Sequence, residues 1–263
     1  MIVNGKWKID LGAPHQVYKN SNRKRLPGVT TICGVFDKPA LKRWGLGMER
    51  DSILRLMESS TATTAHDLIE EILAVLPPKN DKGEPTYFCE QFTERAADIG
   101  TVAHARCEAF LHGVELDEEG LDAELVDKST NAFVRFHDWW TERGLTVLHS
   151  ELQMVSEAWQ VGGTADIIAP RPDGALVLVD LKTSKASRWW PYPETFAQVM
   201  AYAEMYREIS TNWIEEVTIV RIGKEEDDPG QTYTLNENER LRGLELFNAA
   251  RVAYNARKEL SRG

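Results

Sequence analysis

The ten residues LVLVDLKTSK, 176 to 185, constrain this chain more than any other stretch. Four consecutive apolar residues, Leu176 to Val179, form a short run of the kind that fills a buried strand. Alternate side chains of a strand share a face. Leu176, Leu178, Asp180 and Lys182 therefore line one side, and Val177, Val179 and Leu181 the other. An apolar strand that ends by presenting a carboxylate and an amine on one face is either a weak terminal ion pair or a site.

The neighbouring sequence favours a site. In VGGTADIIAP, residues 161 to 170, Asp166 interrupts an apolar strand behind Gly162 and Gly163, which allow backbone or ligand to approach closely. PRPDG then makes a turn, so Asp166 and Asp180 are expected to meet across a hairpin. Two bare carboxylates at that distance repel, and each resists ionisation. A divalent cation removes the conflict, and Mg²⁺ takes one or two carboxylates together with water and phosphate oxygens. Lys182 adds a positive charge suited to orienting a nucleophile and stabilising developing negative charge. Phosphate chemistry is the expectation.

The periodicities predict helices over about 39–59, 64–76, 90–112, 121–143, 194–208 and 236–260, with Gly113 closing the third. Leu41, Trp44, Leu54 and Met57 are the core candidates of the first. Extended segments are expected over 145–159, 162–169, 175–183 and EEVTIVRIG. Residues 1–36 read as short strands and turns, with Thr30, Ile32 and Val35 extended, and KEEDDPGQ reads as an exposed turn. The order, helices and then hairpin strands with helices, implies an α/β fold: a central mixed sheet flanked by helices, with a helical N-terminal part. One domain is expected over 1–263, divided into strands and helices at 1–92 and a core at 93–263.

Three widely spaced cysteines, Cys33, Cys89 and Cys107, argue against a disulfide framework and offer no C-x-x-C pair for zinc or an iron–sulfur cluster. No apolar run reaches eighteen residues and the N-terminus lacks a secretory core, so a cytoplasmic protein with no membrane segment is expected. The net charge of −10 argues against indiscriminate nucleic-acid binding but leaves room for a local basic groove. Within residues 19–50, Lys19, Arg23, Lys24, Arg25, Lys38, Lys42, Arg43 and Arg50 face only Asp37 and Glu49, and eight minus two gives +6. KTSKASRWWPY mixes Lys185 and Arg188 with Trp189, Trp190 and Tyr192, a combination suited to phosphate contacts and base stacking along a single strand.

Gly163 with Asp166, then Asp180, Lys182 and Thr183, then Gln198 and Tyr202 make the series G-x-x-D, D-x-K-T and Q-x-x-x-Y. This series resembles the PD-(D/E)XK nuclease superfamily in its RecB-like exonuclease branch. Asp180-Leu181-Lys182 is the only D/E-x-K in the chain. The resemblance implies a restriction-endonuclease-like core and catalytic roles for Asp166, Asp180, Lys182, Gln198 and Tyr202. It also implies a metal ligand at His104, in the G-x-x-x-H setting Gly100 to His104 with Glu108 a turn later. Asp166, Asp180 and the carbonyl of Leu181 complete the implied metal set, for one or two Mg²⁺ or Mn²⁺ ions. Glu151 is the additional acidic residue, with Glu157 its competitor.

The expected activity is metal-dependent exonucleolytic hydrolysis of single- or double-stranded DNA ends. The implied setting is phage or host recombination, replication or repair in a bacterial cytoplasm, with a single-strand annealing or replication protein as partner. A structure- or site-specific endonuclease is the alternative within the enzyme class. A noncatalytic DNA-binding module on the same fold, or a structural protein whose charged strand end only pairs ions, are the alternatives outside it.

Overall fold

A computed structural model describes residues 2–11, 16–36, 39–79, 83–184 and 190–261. Lys185, Arg188 and Trp189 of the aromatic-basic stretch, and Asp37 and Lys38 of the N-terminal one, lie outside the described residues. In chain order the elements are β1 (Ile2–Val3), β2 (Lys6–Trp7), β3 (Tyr18–Lys19), β4 (Arg25–Leu26), α1 (Val29–Cys33), α2 (Pro39–Ser59), α3 (Ala65–Val75) and α4 (Phe88–Leu111). Then come β5 (Glu115–Leu116), α5 (Ala123–Glu142), β6 (His149–Ser156), β7 (Val161–Pro170), β8 (Leu176–Thr183), α6 (Pro193–Ile209), β9 (Glu216–Ile222), β10 (Gln231–Thr234) and α7 (Glu237–Leu260). The chain forms two compact units, one of residues 1–36 and 99–263 and the other of 37–98.

The larger unit is built on a five-stranded mixed sheet in the order β10-β9-β8-β7-β6. Its pairs are antiparallel except β8 with β9, which run parallel. The crossover between those two strands is α6, as a parallel connection requires. On one face, Leu176 and Leu178 join Val199, Met205 and Phe247 from α6 and α7. On the other, Val177, Val179 and Leu181 pack with Cys107, Phe136 and Trp140 from α4 and α5. The two faces of β8 are those its alternation predicts, and the architecture is the helix-flanked mixed sheet expected from the sequence. Asn236 caps α7 through the Glu239 N–H, and Glu239 answers with its side chain on the Asn236 N–H; this reciprocal pair fixes where the closing helix starts.

Residues 29–33 are helical, not extended, because Val29, Ile32 and Cys33 fall at helical spacing and are all buried. The β-branched content that suggests a strand is overridden by that burial. Just before this turn of helix, Gly28 bridges Gly162 on β7 and the Gly162 N–H donates to the Pro27 carbonyl. A side chain at Gly162 would strike the Tyr18 ring at 2.1 Å, so the glycine there is a steric requirement.

The segment KEEDDPGQ is a turn, as expected, with Glu226, Asp227, Pro229 and Gln231 exposed, and it is anchored to the core from beneath. Arg221, 2 % exposed, makes two parallel hydrogen bonds to Asp228, at 2.5 and 2.6 Å. From α5, Arg135 donates to the carbonyls of Glu226 and Asp228, and Asn131 to that of Lys224. Charge-assisted pairs of this kind hold a polar loop against a core, here through the two terminal nitrogens of Arg221, while its buried Nε has no hydrogen-bond partner among the described residues.

The smaller unit contains α2, α3 and the first part of α4. Thr64 caps α3 by accepting from the Asp67 N–H, and Glu49 on α2 accepts from the Cys89 N–H at 2.7 Å. The four core candidates of α2, Leu41, Trp44, Leu54 and Met57, are exposed. Two helices and part of a third enclose too little volume to bury a whole apolar stripe.

Candidate metal centre and active site

The β7–β8 ladder ends at Ile167↔Val179. Asp166 and Asp180 are the next residues on each strand, so both carboxylates stand where the strands part. Asp166 Oδ2 accepts a hydrogen bond of 2.7 Å from the Leu181 N–H. A backbone donor that would otherwise continue the ladder holds the carboxylate instead.

His104 comes from α4, and its Nδ1 lies 4.0 Å from Asp166 Oδ2. Gly100, one turn earlier, meets the end of β8: a methyl group there would sit 2.7 Å from Thr183 Oγ1. That contact explains the glycine four residues before the histidine, since only a bare Cα lets this turn of α4 approach Thr183. On β6, Ser150↔Ile167 and Leu152↔Ala165 flank Glu151, which places it opposite Asp166. Glu151 has a φ of +47°, a left-handed backbone that costs a non-glycine residue about 1–3 kcal/mol and concentrates at functional positions. One ligand atom from each of His104, Glu151 and Asp166 lies within 4.8 Å of the others.

Asp180 is fully buried, beside Lys182 and Gln198. Its Oδ2 is 2.7 Å from Lys182 Nζ, and Gln198 Nε2 on α6 donates to its Oδ1 at 3.4 Å. Gln198 also donates to the Tyr202 hydroxyl at 3.2 Å. The Tyr202 ring lies against Gly163, where a methyl group would come within 2.6 Å of it. The glycine of G-x-x-D and the tyrosine of Q-x-x-x-Y are thus two halves of one contact.

The electrostatics follow from this crowding. Burial, then the Lys182 charge, lowers His104 to about 4 against smaller opposing effects from Asp180 and the Leu181 backbone. The imidazole is therefore neutral near pH 7 and keeps a lone pair for a ligand. Glu151 is open to solvent at the rim, yet loss of water around its carboxyl pushes it up to about 8, reinforced by Asp166, Glu108 and Asp180. Burial raises Glu108 to about 7. Burial also raises Asp180 to about 6, the Lys182 charge opposing and the Asp166 charge adding. Burial alone would lower Lys182, but Asp180 and Asp166 outweigh it and hold the ammonium charged.

One neutral imidazole and two carboxylates facing each other form a donor set that fits a divalent cation of the Mg²⁺–Mn²⁺ class, the nitrogen ligand suiting Mn²⁺ best. His104, Glu151, Asp166 and Leu181 also line one small pocket with Glu108 and Ser150. The cluster of three includes Glu151, while Asp180 pairs with Lys182. Glu157 is engaged elsewhere, accepting from the Ser21 N–H and from Gln160. Glu108 gave no more sequence signal than its position one turn past His104. Trp190 is exposed and stacks edge-on with Tyr233, and Tyr192 is exposed as well.

The model of the PD-(D/E)XK nuclease superfamily matches residues 50–259. This chain belongs to that superfamily. No curated protein matches it. Solved structures similar to this PD-(D/E)XK protein include an alkaline exonuclease from Laribacter hongkongensis, at 15% identity and a TM-score of 0.32, covering 64% of this chain and 92% of that one. A protein described as a candidate exonuclease from Eubacterium rectale is similar at 12% identity and a TM-score of 0.36, covering 68% of each chain. PD-(D/E)XK nucleases use divalent metals, and among the described residues the one group of three or more His, Cys, Asp and Glu side chains spaced for an ion is His104, Glu151 and Asp166. No described helix is long and apolar enough to cross a membrane.

The raised carboxyl groups have a consequence for stability. At and above pH 6.5 an unfolded glutamate is ionised, and an unfolded His104 holds at most about half a proton, less than Glu151 and Glu108 together retain when folded. Between pH 6.5 and about 8 the folded chain therefore binds more protons than the unfolded one, through Glu151 and Glu108, and stability falls as pH rises. In chelator, the melting temperature is expected to be lower at pH 8.5 than at pH 6.5, with Glu151→Gln showing a weaker dependence. A melting temperature that stays level or rises across that interval in the native protein contradicts this electrostatic picture.

Proposed function

We propose that this protein is a divalent-metal-dependent DNA exonuclease of the RecB-like branch, hydrolysing phosphodiester bonds from DNA ends with Mg²⁺ or Mn²⁺. The observation that carries the reading is the convergence, beside the Asp180–Lys182 ion pair, of His104, Glu151 and Asp166. His104, Glu151 and Asp166 would hold the ion, with Asp180 and the Leu181 carbonyl able to complete the set. A bound divalent ion supplies Lewis acidity toward a phosphoryl oxygen and lowers the pKa of water to near neutrality.

The chain's own residues have distinct tasks. Lys182, kept charged by its two acidic neighbours, orients the attacking water and stabilises charge that builds on the phosphoryl oxygens. Asp180 fixes the ammonium in place, and Gln198 holds Asp180 from the other oxygen. Tyr202, seated on Gly163, keeps Gln198 in register with the strand. Glu108, raised to about 7 by burial, lines the same pocket one turn from His104. The exonucleolytic mode rests on the resemblance of the Gly100–His104, Gly163–Asp166, Asp180–Thr183 and Gln198–Tyr202 motifs to the RecB-like exonuclease branch. The setting we propose is bacterial or phage recombination, replication or repair in the cytoplasm, alongside a single-strand annealing or replication protein.

Digestion of end-labelled linear DNA and of covalently closed circles, in Mg²⁺ and in Mn²⁺, tests this reading. The expected result is mononucleotide or short products from linear DNA, with closed circles intact. Nicking or linearising of circles at a rate matching linear DNA overturns the exonuclease reading, and no hydrolysis under either metal overturns the enzyme reading.

A further inference from the structure

Outside the metal centre, the larger unit carries a groove of about 820 Å³, within the ~300–1,000 Å³ typical of small-ligand sites. Its wall includes Tyr18, Arg25, Thr30, Thr31, Tyr254 and Lys258, and none of its lining residues is acidic. In a chain of net charge −10 this is unusual. Residues 16–36 hold Lys19, Arg23, Lys24 and Arg25 and no carboxylate. Among the described residues neither Arg25 nor Lys258 has an ion-pair partner; the Lys258 ammonium instead lies 5.8 Å from the Tyr254 ring centre.

The groove is built and fixed in place. Its segment is stitched to the sheet by Gln16 to Gln153, Tyr18 to Thr164, Asn20 to Gln160 and the Gly162 N–H to Pro27. Thr164, which bonds the Tyr18 hydroxyl at 2.8 Å, is two residues from Asp166 on β7. One wall of the groove is thus continuous with the strand that carries the metal-facing carboxylate.

We infer that this groove binds a single polynucleotide strand flanking the scissile bond, with Arg25 and Lys258 on successive phosphates and Tyr254 as a stacking surface for a base. The inference rests on the nuclease reading for its substrate class. A cation pair without acidic partners next to an aromatic ring is the chemistry that tracks a single strand, whose affinity comes from phosphate neutralisation and sequence-tolerant stacking. Basic charge there offsets the body's negative field where the substrate must approach.

The test compares the native protein with the double variant Arg25→Gln plus Lys258→Gln, two exposed substitutions. Anisotropy of a labelled single-stranded oligonucleotide in chelator, over a salt series, reads binding without cleavage. The double variant is expected to bind at least ~10-fold more weakly, its salt slope falling by roughly 1.4, about 0.7 per phosphate contact on a single strand. Its single-turnover cleavage rate at saturating protein should stay native while the half-saturating concentration rises. An unchanged single-strand affinity and slope, an equal loss on blunt duplex, or no binding by the native protein overturns the inference. Failure of the nuclease reading looks different: the native protein cleaves nothing in either metal, while the binding difference is still measured.

Discussion

Lys182→Ala is expected to lower phosphodiester hydrolysis by about 10²–10³-fold or more, the loss that follows removal of one preorganised charge-stabilising donor. The Lys182 side chain is 32% exposed, so truncation opens no large cavity in the core. Its partner Asp180 is buried and already raised to about 6; without the ammonium it takes up a proton rather than remain a lone buried charge. The fold should therefore survive. Asp180→Asn is the companion: it keeps the shape and a contact for Gln198 but removes the charge that fixes Lys182. Initial rates on linear DNA, with melting curves to confirm folding, decide the matter. Full activity in both folded variants shows that the reactive centre lies elsewhere.

Arg221→Ala is the largest expected stability effect. Arg221 is almost wholly enclosed, forks onto both oxygens of Asp228 and donates to the Ser184 carbonyl at 3.0 Å, just past the D-x-K-T residues. Removing one partner of a buried pair costs about 3–5 kcal/mol because the other charge stays behind. At ~2–4 °C per kcal/mol for a chain of this size, the melting temperature falls by roughly 6–20 °C. Arg242→Ala, which removes an exposed pair with Glu245, is the control and should cost about 1 kcal/mol or less. Equal shifts for the two variants refute the clamp described for the β9–β10 turn.

The alternation in β8 was readable because a buried strand admits only two faces, and Asp180 and Lys182 fall on the one turned toward α6. The spacing of Gln198 and Tyr202 was readable for the same reason, four residues being one helical turn. What the pattern did not carry was the geometry between elements. Glu151 lies on a half-polar strand like any solvated edge residue; only its left-handed backbone and its place opposite Asp166 set it apart from Glu157. The helix at Val29–Cys33 depends on burial against α6 and α7, which local β-branched content cannot report. Composition hid the Arg221–Asp228 clamp, because a run of acidic residues and glycine reads as solvent-facing until α5 is brought against it. Periodicity made Leu41, Trp44, Leu54 and Met57 of α2 look like core residues, although all four remain exposed.

The central claim is that His104, Glu151 and Asp166 form one cation site, and thermal unfolding at pH 8 with and without Mn²⁺ tests it most directly. At a hundredfold excess over the dissociation constant, binding to the folded state adds about 2.7 kcal/mol, or roughly 5–11 °C in melting temperature. The account predicts that rise for the native protein and its loss in Asp166→Asn. A native melting temperature that Mn²⁺ leaves unchanged, or an equal rise in the variant, contradicts it.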